Sequence, residues 1–118
     1  MAVNGVFVRA NEIRAYAPGD VIFAQGDESS QMFGVVSGAV ELRTGDEAVV
    51  TVEAGATFGE MGIISKAARS LSAVATEPTE IAVIDERTFL FLVQETPMFA
   101  LQVMQSLAER IRQLDEAG

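Results

Sequence analysis

Phe58-Gly59-Glu60-Met61-Gly62-Ile63-Ile64, then Ser65-Lys66-Ala67-Ala68, then Arg69-Ser70-Leu71-Ser72-Ala73, breaks the strand-and-turn pattern on either side of it. Gly59 follows a β-prone run, and residues 60–64 suffice for about one turn of helix. Such a turn leaves backbone N–H groups unpaired and puts partial positive charge at its start. A phosphate binds there without other help. Glycines at 59 and 62 let the backbone come close to a ligand or a neighbouring strand. Arg69 stands nine residues after Glu60, and the pattern puts it at the start of the next strand. Its planar fork donates two parallel bonds to phosphate oxygens, which lysine cannot copy. Glu60 has the wrong charge for phosphate but accepts a hydrogen bond from a sugar hydroxyl, as acidic residues do for ribose in dinucleotide sites. Simpler readings stand beside these. Arg69 would be a surface arginine paired with a carboxylate, Glu60 a favourable charge at a helix start, and Ser70 a partner for local backbone only.

Working outward, residues 21–52 alternate short β-prone runs with turn residues. Pro18-Gly19-Asp20 precedes Val21-Ile22-Phe23, and residues 26–30 separate that run from Met32-Phe33-Gly34-Val35-Val36. Ala39-Val40-Glu41-Leu42-Arg43 alternates apolar and polar as a half-buried strand does. Thr44-Gly45-Asp46-Glu47 predicts a hairpin into Val49-Val50-Thr51-Val52. Runs at 71–75 and 81–84, joined by Glu77-Pro78-Thr79, close the set. Gly26 and Gly38 are expected to serve tight turns. Short strands at this spacing predict an antiparallel roll or sandwich, not a parallel α/β sheet. After Asp85, a helix N-cap by type, the period becomes helical. A short helix carries Phe89, Leu90, Leu92 and Val93, and Thr96-Pro97 starts a longer one over about 98–115.

The chain has 118 residues, 49% of them hydrophobic, which predicts one domain with its own core. Cysteine and histidine are both absent. That removes disulfides, thiolate zinc sites, cysteine nucleophiles, serine triads and histidine bases. No catalytic and no metal-binding residue is expected. The net charge of −9, from 17 acidic and 8 basic residues, repels nucleic acid and anionic membranes. No apolar run reaches signal-peptide or membrane-spanning length, so a cytoplasmic protein is expected. An anionic ligand must therefore be held locally, by a few groups, against the field of the whole molecule.

These residues resemble the cyclic-nucleotide-binding domains, known from the catabolite activator protein, the protein kinase A regulatory subunit and cyclic-nucleotide-gated channels. The resemblance runs from about Tyr16 to Leu114. It is carried by Pro18-Gly19-Asp20, Gly26-Asp27, Val36-Ser37-Gly38-Ala39-Val40 and Phe58-Gly59-Glu60 with Arg69-Ser70. It implies a β-roll (a double-stranded jelly roll) over about 16–85, with a short phosphate-cassette helix and two C-terminal helices over about 86–115. It implies Arg69 on the cyclic phosphate of cAMP or cGMP and Glu60 on the ribose 2′-hydroxyl. Backbone N–H groups near Gly59, Met61 and Gly62, with Ser70, complete the cradle. It places Leu42 by the base and Arg110, on the last helix, over it. The chain departs from the family at Ala68, often proline, and at Leu71, often alanine. Leu71 either narrows the base pocket or points into the core.

Ala100, Met104, Leu107, Ile111 and Leu114 recur at spacings of 4, 3, 4 and 3, a heptad seam of only two heptads. Phe99, Leu101 and Val103 add apolar surface on other sides. A helix folded back on its own domain is favoured slightly over one that pairs in a homodimer, as in some relatives of the resemblance. The expected function is a non-catalytic regulatory module that relays nucleotide occupancy through these helices to an unidentified effector protein. The alternative is a β-roll that has lost its ligand and serves only as a protein-interaction module. A cupin-like metalloenzyme is disfavoured by the missing histidines.

Overall fold

The computed structural model describes Ala10 and residues 12–117, with side chains through Leu114. Readings that fall on residues 1–9, 11 and 118 lie outside the described residues. Among the described residues, eight strands form two four-stranded antiparallel sheets. One has the order β1 (Glu12–Tyr16), β8 (Thr79–Asp85), β3 (Gln31–Ser37), β6 (Thr57–Phe58). The other has the order β2 (Val21–Phe23), β7 (Ser72–Ala75), β4 (Ala39–Thr44), β5 (Glu47–Glu53). The described residues also form three helices: α1 (Met61–Ile64), α2 (Glu86–Glu95) and α3 (Met98–Ala117). This is the expected jelly-roll architecture.

The two faces of β3 and β8 explain the molecule's two cores. Phe33, Val35, Ile81 and Val83 point between the sheets, where they meet Val40, Leu42, Val50, Val52, Phe58 and Ala73. The alternate residues Met32, Ala82 and Ile84 point the other way and meet Leu92, Phe99 and Val103 of the helices. A strand buried on both sides reads as a continuous apolar run, as residues 81–84 do; β4, with Glu41 and Arg43 only half-buried on its other face, alternates.

The turns follow the sequence closely. Gly45 and Asp46 form the two-residue link between β4 and β5. Gly38 has φ +89°, and a Cβ there would stand 2.4 Å from Thr79 Oγ1 and 2.5 Å from the Pro78 carbonyl. Asp85 caps α2, its carboxylate accepting the Thr88 N–H at 2.8 Å, and that bond holds its pKa below the ordinary carboxylate value.

Helix α3 does two things at once. Phe99 and Val103 are buried against β3 and β8, and Ser106 Oγ accepts the Thr57 N–H at 3.2 Å. The helix therefore folds back on its own roll, as favoured from sequence. Of the heptad residues, Met104, Ile111 and Leu114 nevertheless face outward and are exposed, while Ala100 and Leu107 are half-buried.

Candidate functional site

The site begins where β6 ends. Gly59 turns the chain with φ +74°, a value that favours glycine. A Cβ at Gly59 would also lie 3.0 Å from Arg69 Nη1 and 3.1 Å from Phe33 Cδ2. Conformation and space thus both demand glycine here. Residue 60 starts the short helix, and the Gly62 N–H donates back to the Gly59 carbonyl at 3.1 Å.

Arg69 lies three residues before β7, in an irregular segment, and not at a strand start as the sequence pattern suggested. Its main chain is fastened to the turn at 26–27 instead. The Arg69 N–H donates to the Asp27 carbonyl and the Gly26 N–H donates to the Arg69 carbonyl, each at 2.8 Å. The Asp27 carboxylate closes that turn by accepting the Ala24 N–H at 2.9 Å. Gly26-Asp27, distant in sequence, therefore positions Arg69.

The Arg69 side chain turns inward and is 8% exposed. Nη1 donates to the Gly59 carbonyl and Nη2 to the Gln31 carbonyl, both at 2.7 Å, and Nε is buried without a partner. The guanidinium carbon lies 4.2 Å from the centre of the Phe23 ring and 5.5 Å from that of Phe33. Among the described residues its side chain makes no ion pair. Burial draws its pKa below the ordinary arginine value, opposed by the more distant charges of Glu60 and Asp27. Guanidinium keeps its proton throughout the physiological range regardless. The result is a buried cation that lacks an anionic partner among the described residues.

Glu60 is 2% exposed and sits on the other side of the same turn. Its Oε2 accepts Arg110 Nη1 of α3 at 2.6 Å, while Oε1 is buried without a partner. Arg110 Nη2 donates to the Thr57 carbonyl at 2.7 Å. The last helix is therefore pinned to the turn through a largely buried ion pair between residues 50 positions apart. A cleft of about 470 Å³ runs between the β5–β6 connection and α3, with Arg110 and Thr57 on its wall. A second, of about 460 Å³, borders Ser29, Ser30, Lys66 and Ala68, beside the segment that carries Arg69.

Residues 13–96 match the family described as the cyclic nucleotide-binding domain. The chain belongs to this family. It is 37% identical over 107 residues to the cyclic AMP receptor protein of Thermus thermophilus, covering 86% of this chain and 50% of that protein. It is 32% identical over 80 residues to the cAMP-dependent protein kinase regulatory subunit of Hypocrea atroviridis, covering 68% of this chain and 17% of that one. The cyclic nucleotide-binding domain thus spans half the length of the first relative and less of the second. The crystal structure of Thermus thermophilus catabolite activator protein superposes with a TM-score of 0.76 at 32% identity, over 98% of this chain and 56% of that one.

Within this cyclic nucleotide-binding domain, Gly59, Glu60 and Arg69 converge on one turn, and Arg110 joins them through Glu60. Leu42 is buried in the core between the sheets, and Leu71 packs half-buried against that core. Met61 and Ser70 are exposed. The Gly62 amide, grouped above with the cradle donors, is engaged by the Gly59 carbonyl. Two contributors went unread in the sequence. Gln31 acts through its main-chain carbonyl, which leaves no mark on residue type. Phe23 lies in a run read only as a strand, and its contact with Arg69 depends on how that strand is bent. Among the described residues no helix is long and apolar enough to cross a membrane, and no group of three or more His, Cys, Asp or Glu side chains stands ready to hold a metal ion.

Proposed function

We propose that this domain is a non-catalytic regulatory module that binds a cyclic nucleotide, cAMP or cGMP, with Arg69 on the cyclic phosphate and Glu60 on the ribose 2′-hydroxyl. One observation carries the reading. A buried guanidinium without an ion-pair partner faces the same turn as a buried carboxylate oxygen without a hydrogen bond. Leaving such groups unsatisfied is costly, and a ligand bearing an anion next to a hydroxyl satisfies both. Amides near Gly59 and Met61, and the exposed Ser70, flank the place where that anion sits in this reading.

The base is left to apolar walls, since Leu42 and Leu71 offer no hydrogen bond to tell adenine from guanine. The relatives point both ways. The Thermus and Hypocrea proteins carry cyclic AMP in their names. A solved structure at 28% identity and TM-score 0.74, covering 91% of this chain, comes from a cyclic-GMP-dependent signalling pathway of bacterial phytopathogenesis.

Relay to an effector runs through α3 in this reading. Arg110 holds the carboxylate that the sugar also uses, so ribose binding and helix position share one group. The exposed Met104, Ile111 and Leu114 on that helix offer the surface for an effector protein or for a second copy of the chain. Calorimetric titration of cAMP and of cGMP, with sedimentation equilibrium on the same samples, tests the proposal. Micromolar binding of at least one nucleotide is expected, with a change in mass if the partner is a second copy. Binding of neither leaves the ligand-free interaction module as the better reading.

A further inference from the structure

Phe23 does something that strand geometry alone forbids. Neighbouring side chains on a regular strand face opposite ways, yet Ile22 and Phe23 both pack against the core between the sheets. The pairing of β2 with β7 shifts register between Val21 and Phe23. Such irregularities re-aim a side chain, often next to a functional site. Here the re-aimed ring is set against Phe33 and Phe58, with centroids 5.8 and 6.0 Å away. Those two rings are themselves stacked at 5.3 Å and are almost fully buried. Phe23 therefore has a fixed wall behind it.

In front of the ring stands the Arg69 guanidinium, 4.2 Å from its centre and well within the roughly 6 Å reach of a cation–π contact. Two carbonyls, from Gly59 and Gln31, hold two of its N–H groups within its own plane. A plane is fixed by an aromatic face on one side and two acceptors along its edge. Among the described residues no carboxylate pairs directly with the guanidinium, and the charges of Glu60 and Asp27 act on it only from farther away.

We infer that Phe23 is a positioning residue for the anion site: its ring face seats the Arg69 guanidinium, in the plane set by the Gly59 and Gln31 carbonyls, so that the remaining N–H groups are preset for a phosphate. This rests on the reading above that Arg69 receives the cyclic phosphate. An aliphatic side chain fills most of the same space at this half-buried position but has no π face. Phe23→Leu therefore keeps the fold and loosens the seat, whereas Phe23→Tyr keeps the face.

The test compares wild type, Phe23→Leu and Phe23→Tyr with two readouts. In calorimetric titration with cAMP and cGMP, Phe23→Leu binds about tenfold more weakly than wild type, in keeping with the strength of a desolvated cation–π contact. Phe23→Tyr stays within about threefold on the same ground. In the nitrogen–proton spectrum without nucleotide, the Arg69 Nε–H resonance, assigned by its loss in Arg69→Lys, is ring-current shifted in wild type and in Phe23→Tyr. In Phe23→Leu it moves toward the ordinary arginine position, since only the more distant Phe33 ring remains. Equal affinities in all three proteins, where wild type binds, overturn the inference. If wild type binds neither nucleotide, the functional reading fails by itself and the seat is decided by the resonance alone: an unshifted wild-type signal overturns it, and a shift lost in Phe23→Leu upholds it.

Discussion

Two arginines, Arg69 buried and Arg110 largely so, lie on either side of one helical turn, and they are held in opposite ways. Arg110 and Arg69 each donate to main-chain carbonyls at 2.7 Å. Arg110 also grips a carboxylate, Glu60, at 2.6 Å, with both side chains almost out of water. Arg69 has no such partner among the described residues and rests on the Phe23 ring instead. A guanidinium that already holds a carboxylate is neutralised, and removing it strands a buried charge. A guanidinium held only by carbonyls and a ring keeps its charge available, and removing it strands none. By this contrast Arg110 fastens α3 to the roll, and Arg69 is the one suited to receive an anion. The comparison also explains how an acidic chain can hold an anionic ligand: one desolvated cation acts at contact range, where the diffuse negative field of the molecule is weakest by comparison.

The largest expected effect lies on the fastening side. Arg110→Leu leaves Glu60 buried and charged with its Oε2 unpaired, and breaking a buried pair from one side destabilises by about 3–5 kcal/mol. Urea denaturation should show the midpoint falling accordingly. Adding Glu60→Gln to Arg110→Leu removes the stranded charge and should recover much of that loss, since replacing both members of a buried pair is often near neutral. If the double variant is no more stable than the single one, Glu60 and Arg110 are not coupled and the contrast loses one arm.

Next comes the receiving side. Arg69→Lys keeps the charge but loses the fork that donates two parallel bonds, and under the proposed function affinity for cAMP or cGMP falls about 100-fold. Stability changes little by comparison, because no carboxylate is orphaned. Glu60→Gln should weaken binding less, by about tenfold, since one hydroxyl contact is impaired and no charge-assisted pair with phosphate is lost. Titration of the two variants in parallel checks the order. Tighter binding by Arg69→Lys than by Glu60→Gln would reverse the roles assigned to the two residues.

Much of this arrangement was legible in the sequence, for reasons that differ residue by residue. Gly59, Glu60 and Arg69 stand out because each is a residue type that the local chemistry demands: a positive φ, an acceptor and a fork. The hairpin at Gly45-Asp46 and the cap at Asp85 were legible because turn and cap geometry select residue types directly. β1 was not read as a strand: Glu12-Ile13-Arg14-Ala15-Tyr16 is a short edge strand with little burial, and its alternating Ile13 and Ala15 are exposed. The pairing of Arg110 with Glu60 depends on how α3 docks, which local pattern does not specify. The Phe23 contact depends on a register shift in a three-residue strand, and a shift of that kind has no composition of its own. Placing Arg69 in a strand failed because its backbone bonds go to a turn more than forty residues earlier, at 26–27.

The smallest expected effect comes from a third ion pair, which tests whether burial is what separates the arginines. Lys66 Nζ lies 2.8 Å from Glu86 Oε1 and links the segment after α1 to the start of α2, much as Arg110 links the turn to α3. Both side chains are more than half exposed, at 63% and 53%. Water and salt screen such a pair, and holding two long side chains together opposes the gain, so it contributes no more than about 0.5 kcal/mol. Lys66→Gln should therefore leave the urea midpoint almost unmoved, and what little change appears should vanish in high salt. The substitution keeps an unbranched side chain at a residue whose φ is +55°, so backbone strain is not altered along with the charge. A loss comparable to that of Arg110→Leu would mean that linking two elements, and not desolvation of the charges, sets the strength of a pair in this molecule. The absence of an ion pair at Arg69 would then carry far less meaning.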